Sequence, residues 1–140
     1  KDLTNIMANH HIPYVAQTLA MTNFKDLYEK AEKAIYTEGP AFLNVMAPCP
    51  RGWGYATEDL MKINKLAADT CYWPLYEVID GKYHITYKPA KKLPVEEFLR
   101  PQKRFKHMFK PGNEWMIQEF QRVVDERWQE LLDLEEITNK

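Results

Sequence analysis

Residues 39–53 read Gly-Pro-Ala-Phe-Leu-Asn-Val-Met-Ala-Pro-Cys-Pro-Arg-Gly-Trp, and the fold class can be argued from this stretch. Its first part, residues 41–47, is a nearly continuous apolar run of strand length, which is typical of a strand covered by helices on both faces. Its second part places Cys49 between two prolines, just after that strand. In open sheets built from parallel strands, ligands bind beyond the carboxyl ends of the strands. The stretch therefore predicts a buried parallel strand and a loop that presents one cysteine.

Upstream of this stretch, helix and strand signals alternate. Asp2 can cap a short helix, Pro13 ends it, and residues 14–16 indicate a brief strand. Asn23 can cap a second helix, which Gly39 and Pro40 stop. Apolar residues share one face of that helix, namely Phe24, Leu27, Tyr28, Ala31, Ala34 and Ile35. We expect the other face to point away from the core, with Lys25, Glu29, Lys30 and Lys33. The resulting helix-strand-helix-strand order predicts a parallel sheet.

Downstream, Thr57 can cap a helix that runs to about Tyr72. Residues 75–79 and 83–87 flank Asp80-Gly81, which is a strong hairpin signal and predicts antiparallel strands that leave the parallel sheet. From about Asn113 a long helix is expected, because apolar residues recur at helical spacing: Ile117, Phe120, Val124, Trp128, Leu131 and Leu132. This stripe should find a partner surface. The predicted fold class is α/β, with a parallel sheet, a β-hairpin and a long C-terminal helix.

The segment between hairpin and long helix, residues 89–110, is basic and punctuated by proline. Pro94 suits the first position of a short helix. We interpret the segment as an arm over a neighbouring subunit and divide the chain into residues 1–88 and 89–140, the second part making subunit contacts. Phe105 and Phe109 lie among the basic residues, a pattern that also occurs in nucleic-acid-binding segments.

Composition limits the classes of function. The chain has 140 residues, enough for one domain, and its formal net charge is -1, with 19 basic and 20 acidic residues. Because positive and negative charges nearly balance, the chain lacks the net positive electrostatic field that would attract nucleic acid or an anionic membrane. No apolar run approaches membrane-spanning length. Two cysteines indicate a reducing, cytoplasmic setting. Because the first residue is Lys1, we expect that the true N-terminus is missing.

Cys49 has three possible interpretations. Its proline neighbours stiffen the loop and Gly52 allows a tight turn, as the fixed presentation of a thiolate ligand to an iron-sulfur cluster requires, and Trp53 could shield such a cluster from water. A nucleophilic thiol would need a base, and only the charge of Arg51 lies nearby. From residue types alone, a semi-buried structural thiol is favoured. Cys71 falls on an amphipathic helix and is interpreted as core. The histidines show no ligand spacing and receive no catalytic role: His10, His11, His84 and His107.

Several segments in this order resemble the 2-oxoacid:ferredoxin oxidoreductase beta subunit, of which pyruvate synthase is the commonest member. They are residues 2–8 (Asp-Leu-Thr-Asn-Ile-Met-Ala), 12–16 (Ile-Pro-Tyr-Val-Ala), 39–42 (Gly-Pro-Ala-Phe), 47–53 (Ala-Pro-Cys-Pro-Arg-Gly-Trp), 73–77 (Trp-Pro-Leu-Tyr-Glu), 92–99 (Lys-Leu-Pro-Val-Glu-Glu-Phe-Leu) and 104–107 (Arg-Phe-Lys-His). The resemblance covers about residues 2–107. Beyond Lys110, no family motif is matched.

The resemblance implies part of a parallel-sheet domain that binds thiamine diphosphate and magnesium, decarboxylates a 2-oxoacid, and passes electrons through 4Fe-4S clusters to ferredoxin. Cys49 matches the family's last ligand to the cluster nearest thiamine. The other three cysteines and the Gly-Asp-Gly segment belong to the family's N-terminal part, so most ligands lie outside this chain. Expected partners are the other subunits, ferredoxin, the 2-oxoacid and, for acyl-forming members, coenzyme A.

The resemblance leaves two matters open. Pyruvate is the commonest substrate, but branched-chain 2-oxoacids, 2-oxoglutarate and oxalate are handled by similar subunits. The alternative to an enzyme component is a non-catalytic protein-interaction module in which Cys49 binds no metal.

Overall fold

A four-stranded mixed sheet organises the structure, a computed structural model that describes residues 2–140. The helices and strands, in chain order, are α1 (Leu3–Ala8), β1 (Tyr14–Leu19), α2 (Phe24–Tyr36), β2 (Ala41–Met46), α3 (Pro50–Trp53), a 3-10 turn (Thr57–Asp59), α4 (Leu60–Asp69), β3 (Leu75–Ile79), β4 (Lys82–Tyr87), α5 (Val95–Leu99), a 3-10 helix (Lys103–Phe109) and α6 (Glu114–Thr138). The predicted α/β class, hairpin and long C-terminal helix are confirmed.

The strand order is β2-β1-β3-β4, and only the β1/β2 pair is parallel. In that pair Tyr14 lies opposite Ala41 and Leu19 lies opposite Met46, so the carboxyl ends of both strands meet at one end of the sheet. Strand β3 pairs antiparallel with β1 as well as with β4. The prediction that the hairpin leaves the sheet is therefore wrong, because the hairpin extends the sheet.

Strand β2 forms one edge of the sheet, and helices α1 and α2 both contact it, as predicted, but they leave it less buried than expected. Val45 is 39% exposed, and Phe42 and Leu43 are only partly buried. Every residue of β1 is buried, because β1 has a strand on each side. The more apolar strand, β2, is thus the edge strand, whereas the fully buried β1 contains Gln17 and Thr18, so an apolar run does not identify the central strand.

The opposite edge, strand β4, is closed by side chains from the end of α6. The amide of Ile85 donates to Glu135 Oε1 at 2.7 Å, and the amide of Tyr83 donates to Thr138 Oγ1 at 3.0 Å. The Asn139 side chain donates to the Tyr83 carbonyl at 2.7 Å. Helix α6 therefore provides the hydrogen bonds that a further strand would otherwise make.

Helix α2 is rotated relative to the prediction: Leu27, Ala31 and Ala34 of the predicted inner face are partly buried, but the centre of the contact with the sheet lies elsewhere. Its apolar residues Phe24, Tyr28 and Ile35 are 57%, 69% and 77% exposed. The two residues that it buries are Asp26 and Lys30, and Lys30 is only 1% exposed. The prediction that Lys30 faces away from the core is wrong, and the helix is anchored to the sheet by charged groups.

Three acceptors surround the Lys30 ammonium, which explains how it can be buried. Its Nζ donates to the Gln17 carbonyl at 2.9 Å, to Asp26 Oδ2 at 2.8 Å and to Thr86 Oγ1 at 2.8 Å. Asp26 also accepts from the Thr18 hydroxyl. Burial lowers the pKa of Lys30, and the nearby Asp26 carboxylate opposes this effect. All three donor positions of the ammonium are used, as a buried charge requires.

Two helix predictions need smaller corrections. The helix predicted from Thr57 to Tyr72 is shorter: a 3-10 turn precedes α4, which ends at Asp69, and Thr57 makes no capping bond. The stripe of α6 finds its partner surface within this chain, since Val124 and Leu131 are buried and Phe120 and Trp128 pack against the core.

Within residues 2–140, no helix has the length and apolarity needed to cross a membrane.

Candidate functional site

Cys49 lies where the sequence predicted it, three residues beyond the carboxyl end of β2. It has an extended backbone (φ -96°, ψ 109°), and its sulfur accepts the Gly52 amide at 3.4 Å. The carbonyl of Cys49 accepts the Trp53 amide, and Pro50 begins α3. Cys49 is exposed. The turn thus fixes the backbone on both sides of the thiol and directs one N–H at the sulfur.

The basic segment of residues 103–109 holds this turn in place. The amide of Lys103 donates to the Gly54 carbonyl at 3.0 Å, and the Arg104 guanidinium lies 3.8 Å from the centre of the Trp53 ring. Gly54 has a left-handed backbone (φ 71°), and a Cβ on it would lie 2.7 Å from the Lys103 Cβ. The segment interpreted as an arm over a neighbour therefore packs on its own chain; contact with another subunit stays a prediction.

Aromatic side chains surround the turn. Trp53 makes edge contacts with Phe98 and Tyr55, with ring centres 6.2 Å and 6.4 Å away. The Tyr55 hydroxyl is buried and has no hydrogen-bond partner among residues 2–140. Burial, and then the charge of Cys49, raise the pKa of Tyr55. Tyr55 and Arg104 were not among the candidate residues, although the position of Tyr55 beside the glycine of the loop could have indicated it.

Cys71 differs from Cys49 in its burial. It is 3% exposed, it belongs to the hydrophobic core, and burial raises its pKa to about 11. A thiol with such a pKa stays protonated near neutral pH, whereas a metal ligand must be a thiolate. The interpretation of Cys71 as a core residue is confirmed.

The described residues can supply only part of a metal site. Among residues 2–140, no group of three or more histidine, cysteine, aspartate or glutamate side chains comes together. Cys49 could therefore contribute a single ligand, with the remaining ligands outside these residues. A groove of about 690 Å³ lies beside α6, lined by Gln17, Asn44, Cys71, Trp73, Trp115 and Phe120 among others. Cys49 does not line this groove.

Relatives of known name match nearly the whole chain, although no family model matches it. Pyruvate synthase subunit PorB of Methanocaldococcus jannaschii is 45% identical over 127 residues, which are 91% of this chain and 41% of the relative. Pyruvate synthase subunit PorB of Thermotoga maritima is 43% identical over 139 residues, 99% of this chain and 43% of the relative. Ketoisovalerate oxidoreductase subunit VorB of Pyrococcus furiosus is 40% identical over 139 residues, 98% of this chain and 43% of the relative.

These matches confirm the resemblance. The chain is homologous to 2-oxoacid:ferredoxin oxidoreductase beta subunits over nearly its entire length. These relatives are named as subunits of pyruvate synthase and of ketoisovalerate oxidoreductase. The chain spans about two-fifths of the length of these curated relatives.

Proposed function

We propose that this chain is a component of a cytoplasmic 2-oxoacid:ferredoxin oxidoreductase, with pyruvate as its substrate. The names of the relatives support this proposal, because pyruvate synthase subunits are prominent among them. In the proposed reaction, one 2-oxoacid anion, one coenzyme A and two oxidised ferredoxins give acyl-coenzyme A, CO2, two reduced ferredoxins and one proton. The other subunits complete the enzyme.

Cys49 is the residue of this chain to which we assign a direct role, as one thiolate ligand of a 4Fe-4S cluster. The observation that carries the proposal is the exposed thiol in a turn that directs the Gly52 amide at its sulfur. Hydrogen bonds to cluster sulfurs tune the reduction potential, and a fixed backbone keeps the cluster at a constant distance from other centres. The aromatic wall of Trp53 and Tyr55 would limit the access of water. A bound cluster would carry one electron at a time.

Thiamine diphosphate with magnesium is the second cofactor of the proposed enzyme. When bound, thiamine diphosphate supplies the carbanion stabilisation that releases CO2 from a 2-oxoacid. We assign none of its contacts to residues of this chain. This chain's proposed contribution is the cysteine turn, the sheet that supports it and the basic segment that holds it.

Replacement of Cys49 by alanine tests the ligand role. In the assembled complex, we expect Cys49→Ala to lower the iron content and to abolish ferredoxin reduction, since the cluster would lose one of the thiolates that hold it. Iron analysis and the electron paramagnetic resonance signal of the reduced cluster report the loss independently of turnover. Cys71→Ala is the matched control: it should retain iron and lose about 1–3 kcal/mol of stability through a small core vacancy.

An unchanged iron content and unchanged ferredoxin reduction in Cys49→Ala would contradict the ligand role and favour the alternative, an interaction module with an unliganded Cys49. The substrate is tested separately. Purified complex is assayed with pyruvate, branched-chain 2-oxoacids, 2-oxoglutarate and oxalate, using a dye as electron acceptor. A preference for oxalate would make coenzyme A unnecessary and would overturn the choice of pyruvate.

A further inference from the structure

Arg104 holds a positive charge against the cysteine turn in a fixed orientation. Its guanidinium carbon lies 3.8 Å from the centre of the Trp53 ring and 4.5 Å from the centre of the Phe105 ring. Its Nε donates to Gln102 Oε1 at 2.8 Å. Gln102 is only 1% exposed, and its amide donates in turn to the Phe98 carbonyl. Two aromatic rings and a buried amide therefore determine where the guanidinium lies.

The charge of Arg104 has no counter-ion within residues 2–140. Ten ion pairs connect basic and acidic side chains of these residues, and none includes Arg104. Arg100 and Arg122, by contrast, pair with glutamates one helical turn away. Residues 100–113 contain no acidic side chain. The field of Arg104 is therefore not cancelled by a bonded carboxylate of these residues.

Trp53 and Tyr55 connect this charge to the cysteine. Trp53 is the last residue of α3, and its amide donates to the Cys49 carbonyl at 2.9 Å, so it lies one helical turn from the thiol. Burial and then the charge of Cys49 raise the pKa of Tyr55, whereas the charge of Arg104 lowers it. Cys49 and Arg104 thus both act on one phenol hydroxyl. A group bound to the Cys49 sulfur would also experience the field of Arg104.

Water screens this field only in part. Arg104 keeps exposed surface, but burial of the remainder lowers its pKa, and an arginine nevertheless stays charged near neutral pH. On the side of the turn, the guanidinium faces the Trp53 ring instead of solvent. Charges at such partly buried positions interact several times more strongly than they would in bulk water.

We propose that Arg104 tunes the reduction potential of the 4Fe-4S cluster held by Cys49, as a fixed positive charge that favours the reduced state. The inference rests on the proposed function and assigns a role to a residue that does not bind iron. Each one-electron reduction, with the electron supplied by oxidation of the 2-oxoacid, adds one negative charge at the cluster. A nearby cation without a counter-ion stabilises the added charge and raises the potential.

Two substitutions separate the charge of Arg104 from its packing on Trp53. Arg104→Gln removes the charge, whereas Arg104→Lys keeps the charge and loses the planar stack. In Arg104→Gln, we expect a more negative midpoint potential, by about a tenfold change in the one-electron equilibrium constant, or about 59 mV. Arg104→Lys should keep most of the wild-type potential. A role in packing alone would give the two variants the same potential.

The measurement is a redox titration of the assembled complex with dithionite. The electron paramagnetic resonance signal of the reduced cluster gives the midpoint potential independently of turnover, and the signal to follow is the one that Cys49→Ala removes. Lys106→Gln is the matched control, because Lys106 is an exposed cation of the same 3-10 helix. It loses the same charge where water and salt screen it, so its potential should stay close to the wild-type value.

A wild-type potential in Arg104→Gln, or an equal shift in Lys106→Gln, would overturn the tuning role. An equal shift in Arg104→Lys, or loss of iron from Arg104→Gln, would overturn it in favour of a structural role for the stack on Trp53. Failure of the proposed function is distinguishable from these results. If Cys49→Ala removed no signal, the ligand role would be lost and the tuning role with it, whereas an unshifted potential in Arg104→Gln overturns the tuning role alone.

Discussion

The cysteine turn shows how one glycine can determine the position of a reactive side chain. Gly54 ends α3 with a left-handed backbone and brings its carbonyl to the Lys103 amide. Any larger residue would need both an unfavourable backbone and space that the Lys103 side chain already occupies. The Cβ of Lys103 is attached directly to the backbone, so it cannot move aside as a flexible side-chain end could.

Replacing Gly54 by alanine should therefore destabilise the protein through two effects. The positive φ costs about 1 kcal/mol, and the contact with Lys103 adds about 1–3 kcal/mol. Gly112→Ala is the control, because Gly112 has a similar φ of 88° and open space around it. Chemical denaturation of the two variants measures the difference. Equal free energies of unfolding would show that the contact with Lys103 does not constrain the turn.

At the level of single residues, part of the candidate site could be predicted from the sequence. The prolines beside Cys49 are local signals, so the stiff loop and the contrast with Cys71 follow from the sequence. The contributions of Arg104 and Tyr55 do not. Arg104 reaches Trp53 from about fifty positions away, and the isolation of the Tyr55 hydroxyl depends on how α5 and the 3-10 helix pack. Such contacts are products of tertiary folding, for which residue spacing carries no signal.

Among the elements, α2 demonstrates the limit of periodicity. Its helical spacing correctly predicted a helix with two unlike faces, and the helix begins at Phe24 as expected. Periodicity does not determine which face lies on the sheet. Here the helix is rotated so that Asp26 and Lys30 lie on the sheet, because Lys30 finds three acceptors there and Asp26 finds two donors. Lys33 adds a bond to Glu77, a buried carboxylate that also accepts from Tyr14.

Removal of the Lys30 charge should destabilise the protein strongly. We expect Lys30→Met to lower the free energy of unfolding by about 3–5 kcal/mol, since the Asp26 carboxylate would be left buried without its counter-ion. The double variant Asp26→Leu with Lys30→Met should lose less than the sum of the single changes. Denaturant titrations of Asp26→Leu, Lys30→Met and the double variant measure the coupling free energy between the two side chains.

The same helix offers a control with the same spacing. Lys25 and Glu29 form an exposed pair at 3.7 Å, with side chains 85% and 53% exposed. Lys25→Met should change the stability by no more than about 0.5 kcal/mol. If Lys30→Met were as mild as Lys25→Met, the buried network would not be what anchors α2.

For the whole molecule, the sheet has two unlike edges, and the sequence revealed neither. Hairpin signals specify the local pairing of β3 with β4, but they do not state which other strand the hairpin joins. The pairing of β3 with β1 makes β4 an outer strand, and α6 then closes that strand with its side chains. Strand β2 becomes the opposite edge. The pairing of β3 with β1 and the closure of β4 depend on contacts across fifty positions or more.

The side-chain contacts by which α6 covers the β4 edge should weaken in acid. Burial tends to raise the pKa of Glu135, but its bonds to Lys88 and the Ile85 amide outweigh this effect and hold the pKa below its ordinary value. A carboxylate with a lowered folded-state pKa contributes stability above its unfolded pKa of about 4.3, and this stability is lost as pH falls through the lower folded-state value.

We expect Glu135→Gln to lower the midpoint of thermal unfolding near neutral pH and to reduce its fall in acid. Calorimetry from pH 7 to pH 3 measures both effects. Glu136→Gln is the control, since among residues 2–140 Glu136 forms only an exposed pair with Lys140. A parallel acid response in Glu135→Gln and the native protein would show that Glu135 does not control the docking of α6.

The exposed apolar residues of α2 also determine how the chain responds to concentrated salt. The anchoring pair of Lys30 and Asp26 is buried, so mobile ions screen it weakly. Sulfate and phosphate strengthen the tendency of apolar surface to avoid water, and Phe24, Tyr28 and Ile35 offer that surface in one row. Salting-out conditions would therefore drive intact, folded chains together through this row while the helix beneath it stays firmly attached.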